Sequence, residues 1–279
     1  MSFRRTVTLS LLLAGSQAAS YVTAGSQALA TVTDGAAALT NAEKETFLRT
    51  AKPLDWETLP VGSTQSIRAR LDDGTFQHDV HVQTVDVHHD PNGPFRNFRD
   101  SYKYNIAAYR LASLVGFDRV PVSVERDIGD EEAAVTWWVD DLAMMEVERE
   151  EEGIEPPDPA DFDHQIEQVV IFSQLALNTD LNPGNVLITN DWKVWVIDFT
   201  RAFRIDHEIE RDELGGRIDR SLYRGMRELD EKLLLAELQP QLTRPEIEAL
   251  LRGRDEVVEH FDKQVASRGE AAVFCDEAH

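Results

Sequence analysis

Two carboxylates and one amide carry the chemistry this sequence is equipped for: Asp180, Asn185 and Asp198. Asp180 and Asn185 stand five apart in the run Asn178-Thr179-Asp180-Leu181-Asn182-Pro183-Gly184-Asn185. Asp198 follows thirteen residues after Asn185, at the end of the apolar run Val194-Trp195-Val196-Ile197. If Val186-Leu187-Ile188 pairs with Val194 to Ile197 across Asn190-Asp191, Asp198 returns to lie beside Asn185. An amide oxygen and a carboxylate then suit a hard divalent cation such as Mg²⁺, whose other ligands are water and phosphate. Asp180 becomes a candidate base or orienter for an attacking hydroxyl. These are the parts that phosphoryl transfer needs, since positioning and charge neutralisation do most of that catalysis. Without that chemistry, Asn-Pro-Gly-Asn is an ordinary turn and Asp180 caps it.

The elements that must position these residues follow from periodicity and punctuation. Thr40 or Asn41 caps a helix running to about Thr50. Ser66 to Leu71 reads as a strand, Asp72-Asp73-Gly74 as a hairpin turn, and Thr75 to Val87 as one long returning strand. His88 to Asn97 reads as a loop. Apolar residues at three- and four-residue steps predict a helix from Asp100 to Val115, ended by Gly116. Val120–Val124 and Ala134–Val139 are expected as short strands around an acidic turn at Asp127 to Glu132. Glu146 to Asp161, acidic and with three prolines, reads as a surface connector. Phe162 to Leu177 is expected as a buried helix, and the chain beyond Asp206 as helices over Asp219–Leu238 and Arg244–Arg268.

The motifs resemble the protein-kinase-like superfamily. Asp180 to Asn185 matches the D-x-x-x-x-N of the catalytic loop, and Asp198-Phe199 matches the first two positions of D-F-G. The wording is nearer the atypical branch: HipA-type, phosphatidylinositol-kinase-like and secretory-pathway kinases. It is most similar to a bacterial kinase-like group with the runs found here at Ser101–Leu111 and Ile197–Arg204. The resemblance covers Leu54 to about Phe261. It implies an α+β, two-lobed fold: a small antiparallel-sheet lobe over 54–145 and a mainly helical lobe over 146–279, with a helical extension over 31–53. It also implies ATP and Mg²⁺ as cofactors, with Asn185 and Asp198 as metal ligands, and phosphotransfer to an alcohol group of a protein, lipid or small-molecule acceptor.

The same resemblance exposes a departure. The family pattern pairs a small-lobe Lys on the phosphates with a helix Glu. Here Gln83 and Asn105 occupy those places, and no Lys lies between Lys52 and Lys103. Two readings stay open. One is a hydrogen-bonded neutral substitute, with Lys103, Arg68 or Arg70 reaching the phosphates. The other is a pseudokinase, a nucleotide- or partner-binding module without catalysis. Gly62-Ser63-Thr64 is the candidate phosphate-covering loop, through backbone N–H groups. Met144 and Met145 are candidates for the wall against a nucleotide base.

Composition sets the outer bounds. The 279 residues are 42% hydrophobic and 28% charged, enough apolar material for a core. A single cysteine, Cys275, rules out an intrachain disulfide and a cysteine-based zinc site. Asp and Glu outnumber Lys and Arg by 51 to 28, a formal charge of -23 that disfavours nucleic acid and anionic membranes as partners. Only six of the cations are lysine. Such a surface suits high salt, where the Debye length falls to about 3 Å at 1 M. A third reading, an acidic structural or adhesion protein of an exported halophile surface, predicts no nucleotide binding.

Arg4 and Arg5 before Val7–Gly15, then Ala28-Leu29-Ala30, match a secretory signal over residues 1–30. Export is expected from that pattern, with a flexible leader on a cytoplasmic protein as the alternative. No segment reads as transmembrane. Other candidate sites are poorer. His78 and His81 point to opposite faces of a strand, so with His88, His89 and Asp90 they do not make one metal site. No G-x-S-x-G elbow is present. Arg201 and Arg204 are read as anion-binding or as structural partners of Asp206 or Asp140.

Overall fold

The computed structural model describes residues 39–58, 66–88 and 99–275. The candidate leader and Gly62, Ser63 and Thr64 lie outside the described residues.

Helix α1 (Asn41–Thr50) opens with a reciprocal cap: the Thr40 hydroxyl accepts from the Glu43 N–H while the Glu43 carboxylate accepts from the Thr40 N–H. Strands β1 (Lys52–Thr58), β2 (Ile67–Asp72) and β3 (Gln77–Gln83) follow. Then come β4 (Asp86–His88), β5 (Arg99–Ser101), helix α2 (Lys103–Val115), β6 (Ser123–Ile128) and β7 (Glu131–Trp137). Five strands form one antiparallel sheet in the order β1-β2-β3-β7-β6. α1 packs on β6 and β7, with Phe47 edge-on to Phe76 and Trp137. The helical extension is therefore part of the small lobe, and β1 begins two residues inside the stretch assigned to it.

The second lobe starts from β8 (Leu142–Met145), α3 (Glu146–Glu152) and α4 (Pro159–Leu175). A 3-10 turn at Pro183–Asn185 leads into β9 (Val186–Thr189) and β10 (Val194–Val196), which form a small sheet in the order β10-β9-β8. Strand β11 (Ile218–Asp219) precedes α5 (Arg220–Glu228), α6 (Glu231–Leu238), α7 (Arg244–Arg268), α8 (Glu270–Val273) and β12 (Phe274–Cys275). Val169, Ile171, Phe172 and Leu175 of α4 are fully buried, so this helix is the spine of the lobe. Among the contacts that join the lobes, Glu246 of α7 accepts from Arg99 and Tyr104, and Arg110 of α2 donates to the Glu237 carbonyl and Gln241.

Several expected boundaries move, each for a local reason. The long strand Thr75–Val87 is two strands: the Tyr102 N–H donates to the Val85 carbonyl, and β4 turns away to pair with β5. That pairing also claims Asp100 and Ser101, so the helix begins at Lys103. Strands β6 and β7 run deeper into the acidic turn than expected and reverse over Gly129 at φ 66°. The connector Glu146–Asp161 contains α3 and the first turn of α4, whose start is set by the Asp158 cap and Pro159. The helix expected over Asp219–Leu238 divides where the Asp230 carboxylate accepts from the Leu233 N–H and starts α6. The β9–β10 hairpin and the end of α2 at Gly116 stand as expected, and Gly116 closes the helix in the left-handed region.

Candidate active site

The turn that carries Asp180 and Asn185 is built from amide hydrogen bonds. The Asp180 carbonyl accepts from both Asn182 (2.9 Å) and Asn185 (3.1 Å). Asn178 Oδ1 accepts from the Asp180 N–H, and Asn182 Oδ1 accepts from the Gly184 N–H. Three asparagines thus knot the loop into one shape, the turn chemistry that Asn favours. With its N–H directed at Asp180, Asn185 keeps Oδ1 as an acceptor. The Ile197 N–H donates to the Asn185 carbonyl at 3.0 Å, so the hairpin does return Asp198 to the flank of Asn185.

Asp198 has φ 59°, in the left-handed region that Asp tolerates better than most residues. Leu177 (φ 49°) and Phe203 (φ 55°) share this conformation without that tolerance, and both are buried. Packing and a 2.7 Å bond from the Phe203 N–H to the Ala176 carbonyl hold them there. Backbone strain is therefore concentrated on either side of the candidate site, as it is where geometry is over-determined. Asp198 Oδ1 accepts from Thr200 Oγ1 at 2.9 Å, and its Oδ2 makes no hydrogen bond among the described residues.

Above this floor, Gln83 and Asn105 meet. Asn105 Nδ2 donates to Gln83 Oε1 at 2.7 Å, and Asn105 Oδ1 accepts from the Phe199 N–H at 2.7 Å. Both side chains are buried. One primary amide therefore links strand β3, helix α2 and the turn that carries Asp198. Positions 79, 81 and 83 share one face of β3, with Arg68 opposite His81 and Arg70 opposite Asp79. Arg68 and Arg70 both donate to Asp79, and the Arg68 guanidinium lies 4.5 Å from the centre of the Trp138 ring. Lys103 is instead tied to Asp86 at 3.0 Å. Among the three cations considered for phosphate contact, the two arginines stand on the face shared with Gln83.

Protein surrounds the His81 ring although it keeps a partial opening to solvent. That burial pushes its pKa down, against the opposing field of Asp198. His78 is on the other face, stacked on Trp137 and bonded to the Trp138 carbonyl. Met144 and Met145 pair with Ile188 and Leu187 across β8–β9, immediately beyond Asn185. Met145 is buried in a small apolar cluster with Val139 and Leu187.

Asp180 sits among opposing influences. Burial pushes its pKa up, the Arg201 guanidinium pulls it down, and Asp198 and Asp100 raise it further. Arg201 bonds Asp180 and Asp100, each at 3.1 Å. Asp100 is the participant that sequence spacing did not point to: it lies 80 residues from Asp180 and in a strand read as the start of a helix.

No protein-family profile matches the sequence, and no curated protein matches it. Solved structures do match. The chain is similar to hydra Fam20, solved with a sugar, at 17% identity and a TM-score of 0.61 over 85% of this chain and 93% of that one. It is similar to the Golgi casein kinase with Mn and ADP bound, at 14% identity and 0.59 over 84% of this chain and 78% of that one. The Helicobacter pylori proinflammatory kinase CtkA matches at 10% identity and 0.51 over 78% and 98%. At these identities the likeness is one of fold. Antiparallel sheet lobe, helical lobe and the turn-and-hairpin between them make this a kinase-like fold.

Proposed function

We propose that the protein is an ATP- and divalent-metal-dependent phosphotransferase acting on an alcohol acceptor. The observation that carries this reading is the double hydrogen bond of Asn105. It keeps the link between β3, α2 and the metal-site turn that a Lys–Glu pair would otherwise make, in a neutral form. Asn185 and Asp198 are the ligands for Mg²⁺; their open oxygens fit a cation that prefers oxygen and takes phosphate into its shell. The metal supplies neutralisation of phosphate charge. Asp180, with Oδ2 on Arg201 and Oδ1 without a hydrogen bond among the described residues, orients the acceptor hydroxyl and takes its proton. Its side chain is 36% exposed, so an acceptor in the cleft reaches it. The nucleotide is proposed to lie against Gln83 and Asn105, with Met144 and Met145 at the base end, and Gly62, Ser63 and Thr64 are the residues proposed to bind its phosphates. The Mn and ADP bound to the similar Golgi casein kinase support the cofactor assignment.

A second reading, a nucleotide-binding module without turnover, is favoured by the absence of a lysine at position 83. Export is the proposed destination, supported by the arginine-led apolar leader. No helix among the described residues is long and apolar enough to cross a membrane.

Incubation of the full chain with ATP labelled on the γ-phosphate and Mg²⁺ separates the readings. Phosphotransfer predicts metal-dependent release or transfer of label that falls by about 10²-fold or more in Asp180→Asn while nucleotide binding persists. Binding without label release in the wild type leaves the silent module; no binding removes both.

A further inference from the structure

Arg201 does more than neutralise one neighbour. Its Nε donates to Asp100 Oδ2 and its Nη1 to Asp180 Oδ2, both at 3.1 Å. The three residues belong to three different segments: β5 of the small lobe, the catalytic-loop turn, and the turn after Asp198. The main chain follows the same contacts. The Ser101 N–H donates to the Thr200 carbonyl at 2.9 Å, and Thr179 Oγ1 donates to the Arg201 carbonyl at 3.2 Å. The Asp100 side chain is only 6% exposed, and this guanidinium is the cation paired with it. Without Arg201, Asp100, Asp180 and Asp198 would face one another as uncompensated like charges.

We propose that Arg201 is a positioning residue that sets the aim of Asp180 and the seating of the β5–α2 corner in a single clamp. The functional half of this proposal rests on the reading of Asp180 as base or orienter. A planar guanidinium offers two nitrogens in a fixed fork, one for each carboxylate, whereas a lysine has one point of charge. With Oδ2 held, Asp180 presents Oδ1 alone to the acceptor. Since Ser101 begins the corner that delivers Asn105, the clamp also registers the small lobe against the catalytic loop.

The test uses the full chain with Arg201→Lys, Arg201→Gln and Asp100→Asn. Amide hydrogen exchange is followed without ligand, and label release from ATP is measured beside the affinity for Mn²⁺·ATP. A clamp predicts faster exchange at 99–102 and at 178–185 in both Arg201 variants, although neither segment is altered, with α7 protection unchanged. Label release at saturating nucleotide should fall by about 10²-fold, the scale of a misplaced catalytic group, while Mn²⁺·ATP affinity holds within about threefold. Asp100→Asn, which keeps an acceptor but loses the charge, should fall between wild type and Arg201→Gln in both readouts. Recovery by Arg201→Lys of wild-type exchange and release would overturn the clamp, leaving only a charge effect. So would unchanged exchange at 99–102. A wild type that does not bind Mn²⁺·ATP would count against the nucleotide reading alone, and the exchange measurement would still decide whether the clamp exists.

Discussion

Asn105 satisfies two buried partners with opposite needs, accepting from the Phe199 N–H and donating to Gln83. Only a primary amide of this length does both while carrying no charge. Asn105→Ala should therefore lower stability by about 1–3 kcal/mol, the cost of leaving a buried polar group unmatched. Gln83→Lys alone should destabilise by placing an ammonium in a buried site, and adding Asn105→Glu should recover part of the loss; urea unfolding of the four proteins measures the coupling. Histidine gives a second residue-scale expectation. Burial lowers the pKa of His78 and His81 below the ordinary 6.5. Near and below that value the unfolded chain binds more protons than the folded one, so stability falls as pH drops through 6.5. Urea midpoints at about pH 7.5 and 5.5 check the sign, and His81→Asn should flatten the difference. Asp180 works in the opposite direction: its raised pKa favours the protonated fold, so its contribution is lost as pH rises through the acid range. Asp180, Asn185 and Asp198 were legible as a constellation because two short segments joined by a hairpin carry them. Asp100 was not legible, because nothing local marks a strand residue that meets Arg201 at a separation of 101.

At the scale of elements, α5 crosses α2 so closely that a Cβ on Gly225 would stand 2.5 Å from the Val115 Cα. Backbone, not a movable side chain, fills that space. Gly225→Ala should force the helices apart and cost about 1–3 kcal/mol by overpacking, read as a lower urea midpoint. The elements with strong internal patterns, α2, α4 and the β9–β10 hairpin, could be read from sequence because burial imposes a period on them. β1 could not: all seven of its residues are exposed, so no alternation marks it as a strand. β5 is three residues long and is defined by its partners β4 and Thr200. α3, seven residues of mostly acidic sequence, was hidden in composition that reads as solvated connector. Its start is held by a single bond, the Glu148 carboxylate accepting from the Met145 N–H, with no Ser or Thr cap to announce it in the sequence.

Across the whole molecule, the lobes are joined by side-chain contacts between residues distant in sequence. Arg99 and Tyr104 reach Glu246, Arg110 reaches α6 and Gln241, and Arg201 ties Asp100 to Asp180. The kinase-like architecture was accessible from the D-x-x-x-x-N and Asp-Phe motifs and the resemblance they carry, whereas the inter-lobe ties were not, since each joins residues far apart in sequence. The central claim is a metal–nucleotide site at Asn185 and Asp198 beneath Gln83 and Asn105. Thermal unfolding of the full chain with and without Mn²⁺·ATP, beside Asp198→Ala, tests it most directly. At a hundred times Kd, binding should stabilise the native state by about 2.7 kcal/mol. The account predicts a metal-dependent rise in Tm for the wild type that disappears in Asp198→Ala. A wild type whose Tm does not move, or a variant that is stabilised equally, would contradict it.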